Sequence, residues 1–123
     1  MSTATGPDFI ALQTPEIESV ASFYETHLGL QRSAQSPPGA VVFETTPVPF
    51  AIRTPLPGMN LQDRERHGEG IALWMHCADS QRLHDELVDA RVEILSPPKP
   101  TPFGTAFTFL DPAGYAVTMH DGG

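Results

Sequence analysis

Residues 70–79, GIALWMHCAD, decide the fold, because residues 9–16, FIALQTPE, begin in nearly the same way. Both stretches contain the triplet Ile-Ala-Leu, and each leads through an acidic residue into a helix-like pattern. A second echo follows each helix-like pattern, since Ser-Pro-Pro occurs at 36–38 and again at 96–98. Self-similarity along a chain is the signature of a repeated structural unit. The sequence therefore predicts two copies of one module.

The composition suits one small globular domain. The chain has 123 residues, of which 40% are hydrophobic and 18% are charged, which is ordinary for a folded protein. Asp and Glu number 15 against 7 Lys and Arg, so the net charge is -8. A chain with one lysine, Lys99, and no basic stripe is a poor partner for nucleic acid, because phosphate neutralisation supplies most non-specific affinity. The acidity favours solubility first and attraction of a cationic ligand second.

The compartment is predicted from the cysteine count and the N-terminal residues. The single cysteine, Cys77, excludes an internal disulfide, so nothing points to an oxidising environment. Residues 1–8 lack the basic and apolar regions of a signal peptide. No apolar run approaches the ~20 residues that span a bilayer. We therefore expect a cytoplasmic protein without a membrane partner.

The first module is predicted from strand alternation and helix end signals. Residues 9–13 alternate as a strand does, with the parity of Ile10 facing one side and that of Phe9 the other. Residues 14–16, Thr-Pro-Glu, combine a hydroxyl N-cap, a proline at the first helical position and an acid at the positive end of the helix dipole. Gly29 is expected to end this helix. Two strands follow, at 40–44 and 49–54.

The second module has the same order of elements. Its predicted elements are a strand at 70–77, a helix capped by Asp79 or Ser80, a strand at 91–95, and a hairpin of strands 105–110 and 115–120 around the turn 111–114. Residues 96–102, SPPKPTP, predict a stiff, extended loop because proline dominates them. The prediction is an α+β fold with two βαβββ modules, at about 8–54 and 70–120, joined by a linker at 55–69. The two modules are expected to form a curved mixed sheet around a central cavity.

Two segments resemble a known family. They are FIALQTPEIESVASFYETHLGL at 9–30 and FTFLDPAGYAVTMH at 107–120. Both resemble the vicinal oxygen chelate superfamily, which includes glyoxalase I, extradiol dioxygenases, fosfomycin resistance enzymes and bleomycin resistance proteins. The resemblance covers nearly the whole chain and implies a single domain of this fold. It is less specific for function, because the superfamily includes several chemistries as well as pure binders.

The resemblance also implies where a metal ion would bind. The metal enzymes of the superfamily hold a divalent ion at four strand positions, which correspond here to Phe9, Gly70, Thr118 and, within about one residue, Ile52. None of these offers a useful donor, so we expect no metal and no cofactor. An alternative set shares the cavity-facing parity: Gln13, His76 and His120, with Glu44 near. Two histidines and a carboxylate can hold iron or zinc, but a pocket histidine more often makes a hydrogen bond.

Among the metal-free members, the chain is most similar to the bleomycin resistance type. The resemblance implies a homodimer that sequesters a large aromatic or glycopeptide natural product, bleomycin-like or anthraquinone/enediyne-like, without modifying it. No catalytic residue is then needed. The predicted ligand-binding residues are aromatic walls at Phe9, Phe43, Phe50, Trp74, Phe103 and Phe107, polar groups at Gln13, Arg53, His76, Thr118 and His120, and a lid contact at Met59. For any single phenylalanine the core is the more common place, whereas Trp74 has small neighbours on its face.

Two enzyme classes are the alternatives. A metal-free isomerase, cyclase or lyase would use His76 or His120 as a general base. A metal-dependent glyoxalase or dioxygenase would need ligands that the expected positions do not hold.

Overall fold

The computed structural model describes residue 3, residues 5–61 and residues 66–122. The chain divides into two compact units, Met1–Leu61 and Gln62–Gly123. Each unit has the predicted order, one strand, one helix and three strands. The part of the predicted linker at 62–65 lies outside the described residues. None of the helices in the described residues is long and apolar enough to cross a membrane.

The first unit is a four-stranded mixed sheet with one helix. Its elements are β1 (Ile10–Gln13), α1 (Ile17–Leu28), β2 (Gln31–Arg32), β3 (Ala40–Glu44) and β4 (Phe50–Arg53). The strand order is β1-β4-β3-β2. Strand β1 pairs in parallel with β4, and the other neighbours are antiparallel.

The start of α1 differs from the prediction, and its end agrees with it. Glu16 is the N-cap and the helix begins at Ile17, so the prediction of Thr14 as the N-cap is wrong. The Thr14 hydroxyl instead accepts a hydrogen bond from the Glu16 N–H at 3.0 Å, which forms a local turn before the helix. Gly29 ends the helix with φ 71°, the left-handed conformation that glycine adopts without strain.

The core of the first unit lies between α1 and one face of the sheet. Tyr24 of α1 meets Phe50 edge-to-face at 5.2 Å between ring centroids, and Phe50 stacks on Phe43 at 6.1 Å. All three rings are buried. Because side chains alternate along a strand, Gln13 and Arg53, which pair in the β1–β4 register, lie on the opposite face of the sheet.

The second unit repeats this arrangement. Its elements are β5 (Leu73–His76), α2 (Ser80–Asp89), β6 (Ile94–Thr101), β7 (Gly104–Leu110) and β8 (Ala116–His120), in the order β5-β8-β7-β6. The predicted cap at Asp79 is confirmed, because its carboxylate accepts a hydrogen bond from the Arg82 N–H at 3.1 Å. Such a bond satisfies one of the backbone donors that a helix start leaves unpaired.

The predicted loop at 96–102 is wrong. Residues Ile94–Thr101 form one eight-residue strand, β6, which includes most of the proline-rich segment. Among the described strands, β6 is at the edge of the sheet and has β7 as its single neighbour. An edge strand tolerates proline, because its outward N–H groups have no strand to bond. The pairing of β6 with β7 is also irregular here, because the register shifts between Ile94 and Ser96 and between Ser96 and Lys99.

The predicted hairpin between β7 and β8 is confirmed. Its turn is closed by Asp111, which is buried. The Asp111 carboxylate accepts hydrogen bonds from the N–H groups of Ala113 and Tyr115, both at 2.9 Å. Gly114 completes the turn with φ 92° and donates its N–H to the Asp111 carbonyl at 3.0 Å. This turn fixes the register of β7 against β8.

The two faces of the second sheet differ in burial. Phe107, Phe109, Val117 and Met119 are buried, and the contact of Phe107 with His84 of α2 at 5.4 Å marks this face as the one that packs on the helix. Leu73 and Met75 of β5 pair with Val117 and Met119 and share this face. By alternation, Trp74 and His76 of β5, Thr108 of β7, and Thr118 and His120 of β8 project from the opposite face.

Candidate functional site

The face of the second sheet opposite α2 carries a set of aromatic and polar side chains. We call it the tryptophan face and define it by Trp74, His76, Thr108, Thr118 and His120. In the β5–β8 register Trp74 pairs with Thr118, and His76 pairs with His120. Thr118 also pairs with Thr108 of β7, and their hydroxyl oxygens are 2.7 Å apart. Neighbouring strands therefore bring together residues that are far apart in the sequence.

An exposed ring cluster occupies one end of this face. Trp74 meets Phe103 edge-to-face, with 5.8 Å between centroids and 73° between planes. His120 lies 5.8 Å from Trp74 and 5.4 Å from His76. Trp74 is 44% exposed and Phe103 is 59% exposed. Adjacent large aromatic side chains with this exposure are typical of a surface that binds a ligand or another protein.

Phe103 is held by a tightly bonded turn between β6 and β7. The Thr101 hydroxyl donates to the Gly104 carbonyl at 2.7 Å and accepts from the Phe103 N–H at 3.0 Å. The Gly122 N–H donates to the Phe103 carbonyl at 2.8 Å. Gly104 has φ 89°, and a Cβ there would lie 2.5 Å from the Gly122 nitrogen. The backbone at Phe103 is therefore held in place, so that only the rotamer of the phenyl side chain has to be ordered when a ligand binds.

Asp121 connects the tryptophan face to the rest of the unit. Its carboxylate accepts hydrogen bonds from the Ser80 N–H at 3.0 Å and from the Thr105 N–H at 2.9 Å. The bond from Ser80 is the main cause that holds the pKa of Asp121 below its usual value, with further help from Thr105 and from the adjacent His120. The ionised carboxylate thus joins the start of α2 to the start of β7, beside the ring cluster.

Five of the predicted binding residues come together in the second unit. They are Trp74, His76, Phe103, Thr118 and His120. Phe107 also belongs to this unit, but it is buried on the side that faces α2. Phe107 is therefore a core residue.

The remaining predicted residues belong to the first unit. Phe43 and Phe50 are buried against each other and, through Tyr24, against α1, so they too are core residues. Phe9 and Met59 are about half exposed, at 50% and 47%.

Gln13 and Arg53 both bond to nearby backbone in the first unit. The Gln13 side-chain oxygen accepts from the Leu56 N–H at 2.8 Å, and the Arg53 Nε donates to the Thr54 carbonyl at 2.9 Å. Both side chains therefore help to fix the segment that follows β4.

The donor set does not fit a metal ion. Among the described residues, no group of three or more His, Cys, Asp or Glu side chains is placed to hold one. Ile52 is fully buried and has no donor atom, and the Thr118 hydroxyl is engaged with Thr108. Glu44, in the alternative set, is an exposed residue at the end of β3.

Several supporting residues were missed by the sequence analysis. Thr108 was predictable, because a hairpin closed by the turn at 111–114 places it opposite Thr118. Asp121 and Gly122 follow the last predicted strand and carry no local signal. Their roles depend on contacts with Ser80, Thr105 and Phe103, which only the tertiary structure brings near.

Comparison with known proteins gives a family and a set of similar folds. A family model described as "Glyoxalase/Bleomycin resistance protein/Dioxygenase superfamily" matches residues 6–119. No curated protein matches the chain.

Among solved structures, TnmS3, an antibiotic binding protein from Streptomyces sp. CB03234, superposes with a TM-score of 0.76 at 17% identity, with 100% of each chain covered. A bleomycin-binding protein from bleomycin-producing Streptomyces verticillus, complexed with copper(II)-bleomycin, gives 0.66 at 19% identity, again with 100% of each chain covered. A lactoylglutathione lyase from Agrobacterium tumefaciens gives 0.67 at 16% identity, covering 98% of this chain and 96% of that one. At these identities the likeness is evidence for the fold alone.

Proposed function

Because the chain belongs to the glyoxalase/bleomycin resistance protein/dioxygenase superfamily, we propose that it is an antibiotic-binding self-resistance protein. It holds a large aromatic natural product on the tryptophan face and releases it unmodified. The observation that carries this proposal is the exposed pair Trp74 and Phe103, whose rings meet at 73°.

The pair of rings suits a flat ligand. Two nearly perpendicular rings form a corner, so that a planar molecule lying on one ring meets the other with its edge. Each such contact contributes ~0.5–1.5 kcal/mol beyond the burial of apolar area. The hydrogen-bonded turn that carries Phe103 supports this role, because a backbone already held in place need not be ordered when a ligand binds.

The polar groups of the same face would orient the ligand. His76 and His120 are neighbours across two strands, and the Thr108 and Thr118 hydroxyls bond to each other beside them. Binding sites for drug-sized molecules usually combine apolar walls with a few such groups. The net charge of -8 also suits a cationic glycopeptide of the bleomycin type. The corner formed by the Trp74 and Phe103 rings favours a polycyclic aromatic ligand over a glycopeptide.

The proposal extends to assembly and location. We propose a homodimer, which would carry two equivalent sites related by a two-fold axis. We also propose a cytoplasmic location, where a sequestering protein would meet a drug before its target. Light scattering coupled to size-exclusion chromatography tests the assembly, and a monomer at micromolar concentration would contradict it.

A second candidate is a metal-free isomerase, cyclase or lyase. The observation that favours it is the His76–His120 pair, with ring centroids 5.4 Å apart. A general base needs a ring nitrogen near the proton that it removes, and a second imidazole beside it can assist the transfer. The likeness to a lactoylglutathione lyase supports this alternative no more than the fold does.

One experiment separates the two. The chain has a single tryptophan, so quenching of its fluorescence by polycyclic antibiotics reports directly on Trp74. The ligand is then recovered from the complex and analysed by mass spectrometry. Saturable quenching with intact ligand supports the binding protein, whereas a chemically changed ligand supports the enzyme.

A further inference from the structure

The hydrogen bond of His120 determines which of its ring nitrogens carries a proton. Its Nδ1 lies 3.2 Å from the Phe103 carbonyl oxygen. A carbonyl can only accept, so Nδ1 must donate. The same carbonyl accepts the Gly122 N–H at 2.8 Å, which uses its second lone pair. In the neutral imidazole, a proton on Nδ1 leaves Nε2 with a lone pair and without a hydrogen.

No hydrogen-bond donor among the residues that the structure describes is bonded to the Nε2 lone pair. Within the described residues, His120 makes ring contacts with Trp74, His76 and Phe103. None of these donates a hydrogen bond to Nε2. Because Nε2 lies across the ring from Nδ1, it faces away from the Phe103 carbonyl. The ring cluster therefore offers an acceptor beside an aromatic corner.

We propose that the ligand class is hydroxyaromatic. A planar ring lies against Trp74 and Phe103, and its phenolic hydroxyl donates to Nε2 of His120. This inference rests on the proposed binding function and adds which partner donates in one hydrogen bond: the ligand donates, and His120 accepts. A ligand with an ether or a ketone at that position would place an acceptor against an acceptor, and it would bind more weakly by the value of that hydrogen bond.

The first test is the tautomer itself, and it needs no variant. Long-range ¹H–¹⁵N NMR on the full chain distinguishes protonated from unprotonated ring nitrogens. We expect His120 in the Nδ1–H form in the free protein. A predominant Nε2–H form would overturn the inference.

The second test is a matched pair of probes, 2-naphthol and 2-methoxynaphthalene, titrated against the protein while the Trp74 indole signal is followed by NMR. We expect 2-naphthol to bind about fivefold more tightly, the effect of one hydrogen bond that is partly exposed to solvent. In His120→Phe, which keeps a flat ring, the two probes should bind equally. His27→Phe, which also replaces a histidine with a flat ring but lies on α1 of the first unit, is the control and should keep the difference. His76→Phe tests whether the contact belongs to the neighbouring histidine instead.

The outcomes separate this inference from the proposed function. Equal affinities of the two probes for the wild-type protein would overturn the hydroxyl contact while leaving aromatic binding in place. Loss of the difference in His76→Phe, with retention in His120→Phe, would overturn the assignment to His120. If neither probe perturbs Trp74, the inference fails, and the quenching titration with polycyclic antibiotics decides the proposed function separately.

Discussion

Replacing Trp74 with alanine removes the largest exposed ring of the proposed site. Trp74 is 44% exposed, which for a side chain of roughly 250 Å² leaves about 110 Å² for a ligand to cover. At ~25 cal/mol per Å², covering all of it would stabilise the complex by ~3 kcal/mol. A ligand that covers half would gain ~1.4 kcal/mol, or tenfold in affinity. We therefore expect Trp74→Ala to weaken binding by at least about tenfold.

The assay is isothermal titration calorimetry with the polycyclic antibiotic that quenches the wild-type protein best, because the variant has no tryptophan to observe. Val88→Ala is the matched control, since Val88 is 48% exposed on α2, away from the tryptophan face. Trp74→Phe should retain part of the affinity. The fold should change little, because the side chain is exposed. An affinity of Trp74→Ala equal to that of Val88→Ala would remove Trp74 from the site and refute the reasoning.

Three further predictions concern the support of the site. Gly104→Ala should lower the free energy of unfolding by ~1–3 kcal/mol, because φ is 89° and the new Cβ would meet the Gly122 nitrogen. Gly70→Ala, with nothing within 4 Å, is the neutral control in chemical denaturation, and equal stability of the two variants would contradict this. Because the folded-state pKa of Asp121 is below its ordinary value, its carboxylate stabilises the fold above that range, and the contribution is lost as pH falls through the folded pKa. Asp121→Asn should thus have a lower Tm at neutral pH than the wild type and should lose less of its Tm when the pH falls. Asp89→Asn, at an exposed position, is the control and should follow the wild type. A plot of Tm against pH for Asp121→Asn that runs parallel to that of the wild type would contradict this prediction. After dialysis, elemental analysis should find well below one divalent ion per chain, and a stoichiometric, tightly held ion would count against sequestration.

The repeated module was predictable, although the echoes that suggested it are not structurally equivalent. Strand β1 ends at Gln13, three residues before the N-cap Glu16, and β5 ends at His76, three residues before the N-cap Asp79. This alignment matches Ile10-Ala11-Leu12 with Leu73-Trp74-Met75. The second Ile-Ala-Leu therefore begins two residues before β5.

The Ser-Pro-Pro echo differs in the same way. Its first copy lies between strands, whereas its second copy lies inside β6. Helix end signals and strand alternation were sufficient for the module, because both act over a few residues. The proline-rich stretch was misjudged because its place at a sheet edge depends on strand order, which no local pattern encodes.

The sequence predicted which residues of the candidate site share a face of the sheet, but it did not predict how their side chains pack. Alternation placed Trp74, His76, Thr118 and His120 on one face, because strand periodicity fixes which residues share a face. It did not reveal that Phe107 faces α2. The hairpin register around the turn at 111–114 would have shown that Phe107 has the opposite parity to Thr118.

The rigid support of Phe103 depends on residues at the end of the chain. Gly122 bonds to the Phe103 carbonyl, and Asp121 bonds to the Ser80 and Thr105 backbone. These contacts join positions that are distant in the sequence, and the side chains concerned have no distinctive pattern around them. Their discovery required the folded structure.

Native mass spectrometry of the protein incubated with polycyclic antibiotics, followed by denaturation and mass measurement of whatever is released, tests the central proposal most directly. The account predicts a complex whose added mass equals that of the intact compound, and a released compound of unchanged mass. A released compound of altered mass would identify an enzyme. The absence of any complex across a panel of planar hydroxyaromatic antibiotics would contradict the binding function itself.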